Sequence, residues 1–290
     1  MIERLCIIGV GLIGGSLARA LRREGACSSV VGSSRREPHL RRAVELGVID
    51  TFDTDMAAAV RGADMVVVCT PMRAMGGVFE AIRPALATGA VVTDAGSVKQ
   101  PVVAAAREAF GEVPSFLVPA HPIAGTEHSG VEASFDTLYE NRRVIITPTE
   151  TTDPDAVDRV TAMWECTGAR VDHMEPKHHD EVLAATSHLP HMLAYTLVEM
   201  LGQMQTNREI FRYAAGGFRD FSRIASSDPQ MWHDICLDNR DAVAGMIERY
   251  RDELGRLLDA VREQDSDELF SRFARAKATR DRHTGEAQSS

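Results

Sequence analysis

The sequence predicts a doubly wound, mostly parallel α/β domain over residues 1–174, followed by an all-α domain over 175–290. Three observations carry this. Short β-branched runs alternate with helical stretches through the first half of the chain, the pattern of strand–helix–strand units. Those runs are continuously apolar rather than alternating, as strands buried on both faces of a parallel sheet are. After Pro176 no strong strand candidate appears, and apolar residues recur only at helical spacing.

The strands are expected over 5–9, 30–32, 65–69, 91–93, 116–120 and 144–147, with a last short one over 170–174. Helices are expected between them over 16–24, 40–46, 75–85 and 102–110. A further helix, 153–167, opens with Asp153 as N-cap and Pro154 at its first position. In the second half, Val182, Leu189, Leu193, Leu197, Met200, Leu201 and Met204 form one apolar stripe. Val243, Met246, Ile247, Tyr250, Leu254, Leu257, Leu258 and Val261 form another, on a helix of about 25 residues opened near Asp238. Two such stripes exceed what one modest helical domain needs, so dimerisation through this domain is expected alongside internal packing.

The chain has 290 residues, 44% apolar and 26% charged, which excludes a disordered or collagen-like chain. Its formal net charge of -10 argues against a nucleic-acid or anionic-membrane partner, since both favour basic patches. A small anionic substrate stays compatible, because a few placed arginines suffice. The five cysteines are scattered without a C-x-x-C, as in a reduced cytoplasmic protein. The N-terminus has neither a basic region nor a long apolar one, so no signal peptide is expected, and no run reaches a membrane span.

The first motif is Gly9-Val10-Gly11-Leu12-Ile13-Gly14-Gly15-Ser16, placed after a strand and opening a helix. This is G-x-G-x-x-G in its confirming context. Gly9 permits the tight turn, Gly11 the approach of a pyrophosphate, and Gly14 the close packing of helix on strand. The flanking Leu12 and Ile13 belong to the same cofactor loop. The helix N-terminus then faces the phosphates. At the end of the second strand an NAD site wants a carboxylate, yet Ser33-Ser34-Arg35-Arg36 supplies none before Glu37. Ser34 and Arg35 instead suit a 2′-phosphate, so NADP is favoured and NAD possible.

Cys69-Thr70-Pro71 and Asp94-Ala95-Gly96-Ser97-Val98-Lys99 end the next two strands, at the carboxyl edge where α/β sheets bind ligands. Thr70, Pro71 and Ser97 therefore join the cofactor-binding set, and Ser97 and Lys99 are expected near the nicotinamide crevice. Asp94 and Ser97 also fit simple turn and N-cap chemistry. His121-Pro122-Ile123-Ala124-Gly125-Thr126-Glu127 places a histidine in the loop after a buried strand. Beside a nicotinamide site, such a histidine suits base catalysis near neutrality.

Ser187-His188-Leu189-Pro190-His191 sets two histidines one turn apart. His178, His179, Asp180 and Glu181 lie upstream, but no H-E-x-x-H is present, so polar substrate contacts are expected rather than a metal. Gly216-Gly217-Phe218-Arg219-Asp220-Phe221-Ser222-Arg223 puts two arginines four apart, at least one of them expected to be partly buried. For Arg223 the partner is either Asp220, a structural role, or a substrate carboxylate.

Together these strings resemble the prephenate/arogenate (cyclohexadienyl) dehydrogenases, the TyrA family of tyrosine biosynthesis. The matching strings are GVGLIGGS, CTP, DAGSVK, HPIAGTE, SHLPH, GGFRDFSRIA and DPQMW, in order over nearly the whole chain. The resemblance implies a Rossmann domain, a helical dimerisation domain, and an active site between them. It implies that His121 hydrogen-bonds the substrate's ring hydroxyl, that Ser97 assists it, and that Arg223 binds a substrate carboxylate. Thr126, Glu127, His188, His191, Gly216, Asp220 and Trp232 resemble positions that line or gate the pocket, and Trp232 is implied to reach a partner subunit's site. The Ser34-Arg35 pair resembles the NADP-using members. Longer members carry chorismate-mutase helices or an ACT domain. Neither is expected here, so any feedback by tyrosine is expected at the active site.

The implied reaction is oxidative decarboxylation of prephenate or arogenate in a cytoplasmic homodimer. Two rival readings differ from it. A β-hydroxyacid-type dehydrogenase needs a catalytic lysine in the helical domain, where only Lys177 and Lys277 occur, neither suitably set. A non-enzymatic NADP-binding protein would not need His121, Ser97 and Arg223 together.

Overall fold

The computed structural model describes every residue except Glu127 and Ser290. Its strands are β1 (Ile2–Ile8), β2 (Cys27–Ser33), β3 (Thr51–Asp53), β4 (Met65–Val68), β5 (Val91–Asp94), β6 (Leu117–Val118), β7 (Ala120–Pro122), β8 (Arg143–Ile146) and β9 (Arg170–His173). The first helices are α1 (Leu12–Arg23), α2 (Glu37–Glu45), α3 (Met56–Val60), α4 (Met75–Ile82), α5 (Gln100–Phe110) and α6 (Pro154–Glu165). Then follow α7 (Pro176–Leu183), α8 (Leu189–Gln203), α9 (Asn207–Arg212), α10 (Gly216–Ser222), α11 (Pro229–Asp238), α12 (Arg240–Arg262) and α13 (Ser266–Ser289). The chain divides into two compact units, Met1–Arg240 and Asp241–Ser290.

Six strands form a parallel sheet in the order β3-β2-β1-β4-β5-β6. This is the Rossmann order, with its reversal between β1 and β4. The continuous apolar runs are explained by what covers each face. Leu5 and Ile7 of β1 point into one core with Leu17, Leu21 and Leu40 of the helices. Cys6 and Ile8 point into the other, with Phe79, Ile82, Val102 and Ala106. Successive side chains alternate between two buried layers, so no polar face remains.

A second sheet holds β7, β8 and β9, with β7 antiparallel and β9 parallel to β8. Here the structure departs from the expected single strand over 116–120. Val118 still pairs with Thr93 in the main sheet, but Pro119 has no N–H to continue the ladder. The chain then enters the second sheet, where His121 pairs with Ile145. His121 therefore stands within a strand, not in the loop after one. The short edge strand β3 was not expected, since its sequence Thr-Phe-Asp lacks an apolar run.

Asp153 caps α6 as expected, its carboxylate accepting from the Asp155 N–H. α1 begins at Leu12, inside the glycine motif, four residues before the expected start. α12 starts at Arg240, because Asp238 closes the preceding helix. Between α7 and α8 the backbone widens into a π-helical turn, Ala184–His188. Such turns concentrate at functional sites.

Candidate active site

The carboxyl ends of β1, β4 and β5 open onto a cavity of about 500 Å³. On its sheet side the chain leaves β1 at Gly9, whose φ of +99° favours glycine. A Cβ on Gly9 would sit 2.5 Å from the Cys69 carbonyl, and one on Gly14 would sit 2.5 Å from the Gly9 carbonyl. Gly11, by contrast, has nothing within 4 Å of its would-be Cβ. The motif thus uses two glycines for packing and one to leave room for a ligand. α1 starts with no side-chain cap and no acidic residue in its first turn, so its N–H groups stay open to an anion. Beside the glycine loop the Thr70 hydroxyl is buried without a hydrogen-bond partner among the described residues. An open helix N-terminus, a cleared glycine and an orphaned hydroxyl on one wall fit the pyrophosphate and ribose of a dinucleotide.

The opposite wall is built around His121. Asp94, at the end of β5, accepts from the N–H of Gly96 (2.7 Å) and of Ala120 (3.2 Å). Its buried partner Lys99 lies 2.5 Å away and also donates to the Ala120 carbonyl at 2.7 Å. The Asp94–Lys99 pair therefore clamps the residue before His121 by both its backbone groups. Lys99 lies beneath the crevice rather than in it, fully buried. Asp94 has the turn role that its sequence left open, while Ser97 lies on the cavity wall.

His121 Nδ1 meets His179 Nε2 at 2.9 Å, and His179 Nδ1 meets Asp180 Oδ1 at 2.7 Å. Asp180 in turn accepts from the N–H groups of Lys99 (2.7 Å) and Gln100 (2.9 Å), at the start of α5. Burial, then the charges on His179, Lys99 and His188, push His121 well below the usual imidazole range. His121 is therefore more firmly neutral than an unperturbed histidine.

The helical wall carries His188, at the end of the π-helical turn. Burial pulls its pKa down to about 4, and its Nδ1 lies 3.1 Å from the Asn239 side-chain nitrogen. The amide is the donor there, so the neutral ring keeps its proton on Nε2. Asn239 also donates to the Asp180 carbonyl at 2.8 Å, tying His188 to the His179 assembly. Trp232 closes this side, packed on Val98 and Ile235. Asp228 of the DPQMW string caps α11, accepting from Gln230 at 2.8 Å.

Gly9, Gly11, Leu12, Ile13, Gly14, Thr70, Pro71, Ser97, His121, Thr126, His188 and Trp232 line one cavity. Glu127 lies outside the described residues. Ser34 and Arg35 stand just past β2 and off the cavity wall; Arg35 is exposed, and the Ser34 hydroxyl accepts from the Arg36 N–H. His191 is set back, stacked on Trp232 with ring centres 3.7 Å apart. The resemblance implies that Trp232 crosses to a partner; in the single chain it faces its own cavity.

Gly216, Asp220 and Arg223 also lie off the wall. Arg219 and Arg223 are both exposed, against the expected partial burial. α10 ends after seven residues, and Arg223 begins a 3-10 turn at the surface, so the helical register does not carry it inward. Among the described residues, no hydrogen bond or ion pair joins Arg223 to Asp220. Its charge is felt at His191, whose pKa is lowered by burial and, more weakly, by Arg223. Sequence reasoning did not assign His179, Asp180 and Asn239 to this assembly. The His-His-Asp-Glu string was the one signal for His179 and Asp180, and it was weighed only as a metal site and set aside; Asn239 had none. Among the described residues no group of three or more His, Cys, Asp or Glu is arranged to hold a metal ion.

Residues 17–173 match the nucleotide-binding domain of prephenate dehydrogenase, and 175–275 match its dimerization domain. The chain belongs to the prephenate dehydrogenase family. It is 39% identical to the cyclohexadienyl dehydrogenase of Zymomonas mobilis, over 96% of this chain and 95% of that one. It is 34% identical to the prephenate dehydrogenase of Bacillus subtilis, over 97% of this chain and 76% of the other. The crystal structure of prephenate dehydrogenase from Aquifex aeolicus, in complex with hydroxyphenyl propionate and NAD+, superposes with a TM-score of 0.90 at 38% identity. That match covers 97% of this chain and 98% of the other. Membership makes the chain a pyridine-nucleotide-dependent oxidoreductase with a nucleotide-binding domain and a helical dimerisation domain.

Proposed function

We propose that the enzyme oxidises prephenate or arogenate with loss of the ring carboxylate as CO₂, giving 4-hydroxyphenylpyruvate or tyrosine. The observation that carries this reading is a neutral, half-buried histidine facing a glycine-loop cofactor wall across one cavity. Bound there, the nicotinamide takes the hydride from the ring carbon that bears the hydroxyl. Gly9, Gly11, Gly14, the first turn of α1 and Thr70 hold the cofactor. His121 accepts the hydroxyl proton as that carbon becomes a carbonyl, and Ser97 orients the same hydroxyl. The ring carboxylate then leaves as CO₂, its bonding electron pair passes into the ring, and the phenolate oxygen so formed takes the proton back from His121; aromatisation makes the step effectively irreversible.

Arg223 is assigned to a substrate carboxylate. Its exposed guanidinium and its influence on His191 support this. Thr126, His188 and Trp232 shape the pocket, with His191 braced behind Trp232; Gly216 and Asp220 belong to its rim, and Glu127 is assigned to substrate binding. NADP is the favoured cofactor, since no carboxylate follows β2 to bind a ribose hydroxyl and Arg35 is available to a 2′-phosphate. The domain boundary is set at 174/175, a division supported by the two family matches. Assembly is a homodimer through the helical domain, and the cytoplasm, with its free pyridine nucleotides, suits the chemistry.

The deciding experiment is reduced-cofactor formation by the purified enzyme with prephenate and arogenate, each with NADP+ and NAD+. Substrate-dependent reduction, faster with NADP+, is expected. Arg35→Ala should weaken NADP binding by about 1.5–3 kcal/mol, the worth of a charge-assisted hydrogen bond, and leave NAD nearly unchanged. No reduction with either substrate would overturn the function. Equal losses for both cofactors, or a wild-type preference for NAD, would overturn the NADP assignment.

A further inference from the structure

We propose that His179, braced by Asp180, is a positioning residue that holds His121 in the tautomer whose Nε2 lone pair is free for the cavity. The inference rests on reading His121 as the proton acceptor.

The protons follow from counting donors and acceptors. Both carboxylate oxygens of Asp180 accept backbone N–H bonds from the start of α5. The carboxylate thereby caps a helix on another segment of the chain and is fixed in place. A carboxylate so used is an acceptor, so His179 Nδ1, at 2.7 Å, is the donor. A neutral His179 then has its lone pair on Nε2. The 2.9 Å contact to His121 Nδ1 requires one proton between the two nitrogens, so His121 Nδ1 carries it. His121 Nε2 is left bare, as a base requires.

The alternative is a protonated His179, which would donate at both nitrogens and turn His121 around. Burial, and the charge on Lys99, oppose that form, although Asp180 and Asp94 favour it. The ring planes meet edge to face at 65°, and the Asp94–Lys99 clamp on Ala120 fixes the strand that carries His121. His121 is thus held by its backbone from one buried pair and by its ring from another. When it takes the substrate proton, the bond from Nδ1–H to His179 becomes charge-assisted and strengthens.

Imidazole nitrogen NMR on the histidine-labelled full-length enzyme near neutral pH tests this directly, with His121→Asn identifying the signals. His121 is expected with Nδ1 protonated and Nε2 bare. His179→Leu should move the proton to Nε2 and lower kcat ~10–10²-fold, with the cofactor KM little changed. His179→Gln places a carbonyl oxygen near the position of Nε2, so it should keep the tautomer and lose less activity than the leucine variant. A wild-type His121 protonated on Nε2 would overturn the proposal, and this result needs no variant to fold. So would a leucine variant with wild-type kcat where His121→Asn has lost it, which leaves the base assignment standing. Wild-type kcat in His121→Asn instead removes the base assignment, and the positioning role with it.

Discussion

An imidazole in water and one set into a protein wall beside a buried lysine titrate differently, and His121 is the second kind. Its pKa is lowered first by burial, then by His179, Lys99 and His188. The sequence reading expected a base suited to catalysis near neutrality, with a pKa of ~6.5 if unperturbed. The structure moves the acid limb of kcat/KM below that value, so activity should hold on acidification past the point where a free histidine would be charged. A pH–rate profile checks this, and an inflection at or above ~6.5 would contradict it. His121→Asn, which hydrogen-bonds but takes no proton near neutrality, should lower kcat ~10²–10⁴-fold with modest change in KM. Ser97 and the glycines were legible in the sequence because each follows the end of a strand, and strand ends follow from local pattern; His121 was legible from its place after a buried run, although it stands within β7. His179 and Asp180 were not, since His179 lies 58 residues from His121 in the chain. Only the tertiary fold brings the two rings together. Arg223 shows the converse: helical spacing suggested burial, and an early helix end prevented it.

Elements were legible where their burial is uniform. In the six-stranded sheet β1, β2, β4 and β5 follow from runs that are apolar on both faces; β3 has no such run, and the 116–120 run, which holds β6, passes into a second sheet because one proline divides the two. The long helices were legible from periodicity, but periodicity does not say what covers a face. On α12, Ile247, Tyr250, Leu254, Leu258 and Val261 lie three or four residues apart on one side. All five are exposed in the single chain; Leu258, for example, is 47% exposed. Phe270 and Phe273 of α13 are exposed as well. An exposed apolar stripe of this kind is what the homodimer proposed above would cover. Leu254→Asp combined with Leu258→Asp would place two charges in that interface. Light scattering should find a dimer for the wild type and a monomer, or a much weaker dimer, for the variant. A wild-type enzyme that is monomeric at micromolar concentration, or a variant dimer of unchanged strength, would remove the stripe from the interface.

At the scale of the whole molecule, two buried histidines, His179 and His188, and two half-buried ones, His121 and His191, couple the active site to stability. His121, His179, His188 and His191 all have pKa values lowered by burial first. In the unfolded chain each returns to about 6.5. Above that pH both states are neutral at these rings and the term vanishes. As the pH falls below it, the unfolded chain binds protons that the folded chain refuses, so stability falls with pH. For His188, which is 1% exposed and has a pKa of about 4, the loss accumulates between about pH 6.5 and pH 4 and reaches ~3 kcal/mol. The other three act in the same direction, and a loss of this order is a large share of a domain's net stability. Denaturant melts at a series of pH values should therefore show the midpoint falling steeply across that window, above the range where most carboxylates titrate. A bound dinucleotide should raise the midpoint by mass action without removing the slope, because it leaves the histidines buried. His188→Gln keeps a polar side chain there but cannot titrate, so if it folds its slope should be shallower than the wild type's. A midpoint that stays level or rises from pH 6.5 to pH 4 would show that these rings are charged in the native state, and with them the neutral base at His121 would be lost.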